Sequence, residues 1–203
     1  LEPTLKVLGR PKYFSPSVSA GAETKLIGQH LVFDGCTGIC TGAALYAECF
    51  ANGVMGGPQQ GDYFDFLNGG AGGTRQWDVA LGRGGKANDW STGFNIRHAV
   101  VDAIYAAKLP QEKGLPRFSI QPMLNITLAF AFVLRKYPQT ATATHAIARE
   151  LTASAAPELD AFMSEHGVFG TTVDACLASG IAALPPAVQQ TVLLNVSEKD
   201  FAA

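Results

Sequence analysis

With 203 residues, 47% of them hydrophobic and 16% charged, the chain can bury a substantial core, and one compact domain spanning residues 1–203 is the expectation. A formal charge of −2, with Lys and Arg scattered along the chain, provides no basic face. Nucleic acid and membrane are therefore excluded as expected partners, and a small-molecule ligand is left.

The compartment is read from the cysteines. Cys36, Cys40, Cys49 and Cys176 are an even set that could form two disulfides in three connectivities. Asn125-Ile126-Thr127 and Asn195-Val196-Ser197 are glycosylation sequons. Together they suggest a secreted, disulfide-bonded glycoprotein; four buried free thiols are the alternative. Spacings of four and nine lack the paired knuckle of a zinc site. A chain starting at Leu1 fits a processed mature protein or a fragment.

In chain order, Pro3, Pro11 and Pro16 make residues 1–18 an extended arm. Residues 19–33 suit a helix or, with Gly28 inside "KLIGQHLVF", a strand; helix is preferred. "TGAALYAECFANG" predicts a separate helix with Thr41 as N-cap and Gly53 as its left-handed stop. Residues 53–90 read as a glycine-rich loop excursion, with only "DYFDFL" able to form a short helix. Its glycines permit close backbone approach to a ligand or to the protein itself.

From Trp90 onward the pattern is helical. Ser91 or Thr92 caps a helix through Ala107, ended by Pro110; Ser119 caps the next, which runs to Lys136. The apolar run "LAFAFVL" inside it is shorter than the roughly 20 residues of a spanning helix and reads as a central buried helix. Four further helical segments follow, one with Pro157 at its first position and Gly167 at its stop. The predicted class is mainly α, seven or eight helices with one long Gly-rich loop.

Two His-x-x-x-Asp units, His30/Asp34 and His98/Asp102, carry the candidate chemistry. At helical spacing each pair shares a face, and His98 and Asp102 are flanked by Phe94, Val101 and Tyr105. If the two segments pack together, His30, His98 and Asp102 form a metal ligand set; otherwise the pairs are separate dyads or structural hydrogen bonds. A divalent metal or haem is the expected cofactor. Trp77, Arg83, Trp90 and Tyr105 are candidate ligand contacts, the two indoles at the mouth of a pocket rimmed by the loop. His145, with Arg149 one turn on, is placed at the surface. His166, before Gly167, is expected to complement a helix C-terminus as a partly charged ring. Glu48 is either a buried acid or a helix edge facing water.

"HLVFDG" followed by "CTGICTGAALYAECFANG" resembles the H-x-x-x-D-G strand-turn-helix of the chloramphenicol acetyltransferase and condensation-domain superfamily. The resemblance implies His30 as general base and Asp34 as the residue orienting the loop; Gln29 stands where that motif often has a first His. "CTGAALYAECFANGVMGG" and "GGTRQWDVALGR", ending at Arg83, resemble a helix and loop of plant-type haem peroxidases. The haem-ligand motifs of that family have no counterpart here. The functional expectation is a secreted metal- or haem-dependent enzyme, oxidoreductase before hydrolase. The alternatives are a non-catalytic secreted protein binding an apolar small molecule or a protein partner, and an acyltransferase.

Overall fold

The structure, a computed structural model, describes residues 2–9, 17–78, 82–139, 142–168 and 170–195. The chain is mainly helical. Among the described residues the elements are α1 (Glu2–Leu8), α2 (Ala20–Phe50), α3 (Pro58–Asn68), α4 (Gly82–Ala87), α5 (Ile96–Glu112) and α6 (Arg117–Lys136). A 3₁₀ segment (Thr144–Leu151) follows, then α7 (Ala156–Glu165), α8 (Val173–Ala182) and α9 (Pro186–Asn195).

At the centre lies α6, against α5, α2, α7, α8 and the 3₁₀ segment. Met123, Leu124, Leu128, Phe130, Ala131 and Leu134 are all buried, so no side of the helix is left polar through its middle. The one buried hydroxyl, Thr127, donates to the Met123 carbonyl at 2.6 Å and leaves no unpaired group. By length and composition α6 could cross a membrane; here it is the core helix. Small residues let its neighbours approach: Ala99, Ala103, Ala106 and Ala107 of α5 are fully buried. On α8, a Cβ at Gly180 would stand 2.7 Å from Leu128 Cδ2.

Where the expected boundaries fail, tertiary contact or cap chemistry explains the difference. Residues 20–50 form the single helix α2, and Thr41 is in its interior. Cys36, Cys40, Ala43, Ala44 and Ala47 are buried on one face against the 3₁₀ segment, which overrides the glycines that suggested a break. The predicted stop holds: Asn52 and Gly53 have φ of 50° and 78°, and the Gly53 N–H bonds the Ala47 carbonyl at 2.8 Å. Residues 2–8 of the supposed extended arm are helical, and residues 10–16 lie outside the described set. Asn95, whose side chain accepts the Arg97 N–H, caps α5 in place of Ser91 or Thr92. Helix α5 continues through Pro110 to Glu112, and α6 begins after Pro116, two residues before Ser119.

The stretch 53–90 is not a loop throughout; it holds α3 and α4. Three of its glycines, Gly61, Gly84 and Gly85, serve close packing. Gly61 and Gly85 let α3 and α4 touch, since a Cβ at Gly61 would stand 2.9 Å from the Lys86 Cα. At Gly84 it would meet His145 Cδ2 at 2.8 Å and Trp90 Cζ3 at 2.9 Å.

Two sets of glycine replacements should therefore move stability in opposite directions. Gly84→Ala forces two ring systems apart and should cost about 1–3 kcal/mol. Gly28→Ala and Gly38→Ala meet nothing within 4 Å inside α2 and should stabilise by about 0.5–1 kcal/mol each. Urea unfolding of the three variants is the measurement, and a neutral Gly84→Ala would remove the packing account.

Candidate functional site

Helices α2 and α5 do lie face to face, as the paired His-x-x-x-Asp units require, and they run antiparallel. Phe33 stacks with Phe94, ring centroids 6.2 Å apart, at one end; Lys113 reaches Glu23 at 3.2 Å at the other. The register, however, keeps the two histidines apart. His30 Nε2 bonds the Ala106 carbonyl at 2.7 Å, and Ala106 is eight residues, about 12 Å of helix axis, from His98. No single ion spans that separation. Asp102 is committed to Lys25 and to Gln29 Nε2 at 2.5 Å, while His98 is exposed. Among the described residues no three His, Cys, Asp or Glu side chains gather as a metal ligand set. The expectation of metal binding by His30, His98 and Asp102 is thereby corrected.

The role of His30 follows from Pro110. In a continuous helix the Ala106 carbonyl would accept from the N–H of residue 110, but proline has none. His30 supplies the missing donor. Because a carbonyl only accepts, His30 must carry its proton on Nε2, which leaves Nδ1 as the acceptor nitrogen when the ring is neutral. Asp34 lies one turn further along α2, its carboxyl pushed up by burial and pulled partly back by the His30 ring. The strand-turn of the acyltransferase motif is absent, since both residues sit inside α2.

These two residues stand beside two hollows. One, of about 320 Å³, is walled by Ile27, His30 and Leu31 of α2, by Leu109 and Pro110 of α5, and by Leu115 and Ser119 beyond. The other, of about 400 Å³, is walled by Asp34 and Thr37 of α2 and by Phe118, Gln121, Pro122 and Asn125 of α6. Around them Ile27, Leu31, Leu115 and Phe118 are 57%, 76%, 50% and 89% exposed. Sequence reasoning passed over these four. Their available signal is the Ile27/Leu31 spacing of four opposite the buried Phe33/Cys36 face, and apolar residues flanking the Pro116 turn.

The remaining candidates disperse. Trp77 is buried and its indole donates to the Gly72 carbonyl at 2.8 Å; it lines an open cavity of about 630 Å³ together with Phe66 and the main chain of Gly69–Gly72. Trp90 is buried too, bonded to Asn88 Oδ1 at 2.7 Å and packed against His145, with Arg149 over its ring. Tyr105 is half-buried against the core. The side chain of Arg83 lies outside the described residues.

His145 is not at the surface; it is 1% exposed and bonds the Asp89 carbonyl at 2.9 Å. His166 follows α7 as expected, but burial lowers its pKa and so disfavours the charged ring, whose Nδ1 lies 2.5 Å from Ser179 Oγ. Glu48 is exposed and accepts the Ala153 N–H at 2.8 Å.

All four cysteines are free thiols, so the disulfide expectation is corrected as well, and with it goes the cysteine argument for secretion. Cys36 and Cys40 stand one turn apart on α2 with sulfurs 3.9 Å apart, nearly twice a disulfide bond. Cys40 also contacts the His145 carbonyl at 3.5 Å, and its bond to Cys36 and its burial hold the thiol protonated. Burial likewise raises Cys176. The Asn125 sequon is mid-helix, half-buried, with its carbonyl oxygen taken by Gln121, which is not the surface loop a glycosylation acceptor needs. The second sequon runs into residues outside those described. No family model, curated protein or solved structure matches the chain.

Native protein should therefore give one fast-alkylating thiol, the exposed Cys49, and release Cys36, Cys40 and Cys176 only in denaturant. An intact mass that rises by two or four protons on reduction would contradict the free-thiol state.

A double-mutant cycle tests the pairing of His30 with Pro110. His30→Leu alone leaves the Ala106 carbonyl without a donor and should cost about 1–3 kcal/mol. In a Pro110→Ala background the helix supplies its own N–H, and the same replacement should cost clearly less. Equal costs in both backgrounds would mean that the histidine acts only through packing.

Proposed function

We propose that this chain is a binding protein for a small apolar molecule, taken into the groove between the first half of α2 and the α5–α6 turn. One observation carries the reading: a hollow of about 320 Å³ walled almost wholly by carbon and rimmed by exposed Ile27, Leu31 and Leu115. Small-ligand sites are typically apolar concavities of about 300–1,000 Å³ with a few placed polar groups. Here those groups are the Ser119 hydroxyl, the His30 ring and the Glu23–Lys113 ion pair at the rim.

The groove is also preformed. His30 in its wall is held by the Ala106 carbonyl and Pro110 by its own ring, so little ordering is needed on binding. Covering on the order of 300 Å² of carbon surface, groove and ligand together, corresponds to about 7 kcal/mol. Affinities in the micromolar range are the ceiling this implies. The larger cavity beside Trp77 offers fewer placed polar groups, because its indole N–H is already bonded to the Gly72 carbonyl.

The test is titration with a solvatochromic apolar dye, followed by displacement with octanol. Wild type should bind and release the dye saturably. Leu31→Glu places a charge in the groove at a position that contributes little to the core, and should abolish binding while leaving the unfolding midpoint within experimental error. Unchanged dye binding in Leu31→Glu would place the ligand elsewhere.

A further inference from the structure

The second hollow continues the first. His30 and Asp34, which each wall one hollow, are one turn apart on α2, and Leu115 and Ser119 of the first are three residues from Phe118 and Pro122 of the second, so the two hollows are neighbours along these helices and together make up a trough. Its chemistry changes along its length: carbon at the Ile27 end, a carboxylate at the Asp34 end.

Asp34 differs from most of the trough's other polar groups. Glu23 has Lys113. Gln121 accepts from Arg117 Nε at 3.1 Å and donates to Asn125 at 3.0 Å, and the Thr37 hydroxyl donates to the Phe33 carbonyl at 2.9 Å. Among the described residues no hydrogen bond or ion pair engages the Asp34 carboxylate. The Phe118 ring, 89% exposed on the protein's surface, lines the same hollow. A carboxylate beside an aromatic ring is the pairing that recognises an organic ammonium: the ion pairs with one and lies against the π face of the other.

We infer that the trough binds amphiphilic amines, with the ammonium group between Asp34 and Phe118 and the apolar tail in the Ile27–Leu31 groove. This rests on the groove reading above and specifies the ligand class. Neutral and anionic amphiphiles of the same tail length then bind less well. The carboxylate gives a neutral head group no ion pair and repels an anionic one.

Calorimetric titration with octylammonium, octyltrimethylammonium, octanol and octanoate at neutral pH separates the possibilities. Both ammonium probes should bind about tenfold more tightly than octanol, and octanoate more weakly than either. Asp34→Asn should bring octylammonium level with octanol while octanol itself is unchanged. Phe118→Ala should reduce the affinity for octyltrimethylammonium several-fold. Both positions are on the outside of helices, and circular dichroism verifies that the variants remain folded. If octanol and octylammonium bind equally to wild type, or if Asp34→Asn weakens octanol as much as the amine, the ammonium site is overturned while the apolar groove stands. If none of the four probes binds, the groove itself is refuted.

Discussion

A single carbonyl deprived of its donor organises the face of the molecule that the proposals concern. Pro110 lies inside α5, so the Ala106 carbonyl loses its i+4 helical donor, and a buried unsatisfied carbonyl would cost about as much as a good hydrogen bond contributes. The His30 ring of α2 fills that vacancy at 2.7 Å. The bond fixes the register of α2 on α5. Asp102 then falls between Lys25 and Gln29, and Phe33 falls between Phe94 and Phe130. It also fixes a wall. The proline ring and the imidazole both face the groove, where a flexible side chain would have collapsed into it.

Around this seam the core follows from α6. A helix apolar on every side is stable only when surrounded, and five other elements surround it. Polarity returns at its C-terminal end, where Lys136 bonds Glu150 at 3.0 Å and Glu158 at 2.9 Å. Glu150 is 3% exposed, so its charge is tolerable because the lysine is there. Those carboxylates in turn push the Lys136 pKa above its ordinary value, Glu158 most of all. The 3₁₀ segment that carries Glu150 and His145 is thus anchored at both ends, by Lys136 and by the Asp89 carbonyl.

Much of the helical pattern was legible in the sequence, and the glycine stops were its surest local signals: Gly53 and Gly167 take left-handed conformations, whereas Thr41, Ser91 or Thr92 and Ser119 do not cap the helices expected of them. What stayed hidden depends on partners distant in the chain. Nothing near Gly61 reveals that Lys86 will lie against it, so glycines that permit helix contact look the same as glycines that line a site. His145 looked solvent-facing because it stands in an Ala/Thr-rich stretch with Arg149 one turn on, but its partners are the Trp90 ring and the Asp89 carbonyl. The two His-x-x-x-Asp units were seen, and their helices do pack; the antiparallel register, invisible in either segment, decides that they serve different neighbours. The even cysteine count misled because Cys36 and Cys40 lie in one helix, sulfurs too far apart to bond.

The glycines of α2 carry one more consequence. Five interrupt a 31-residue helix, at 21, 28, 35, 38 and 42, and each weakens helix formation by about 1 kcal/mol relative to alanine. Packing offsets this unevenly. The half beyond Phe33 has most of its buried positions, whereas the half before it is held to α5 chiefly by side-chain bonds along one edge. The free energy of local opening therefore falls toward the amino-terminal half, and its amides exchange with solvent deuterium through sub-global fluctuations while those near Ala43 and Ala47 wait for global unfolding. The α2 wall of the groove, set in its native state, thus opens more readily than the second half of the same helix, and a ligand seated there slows that exchange by whatever free energy it contributes.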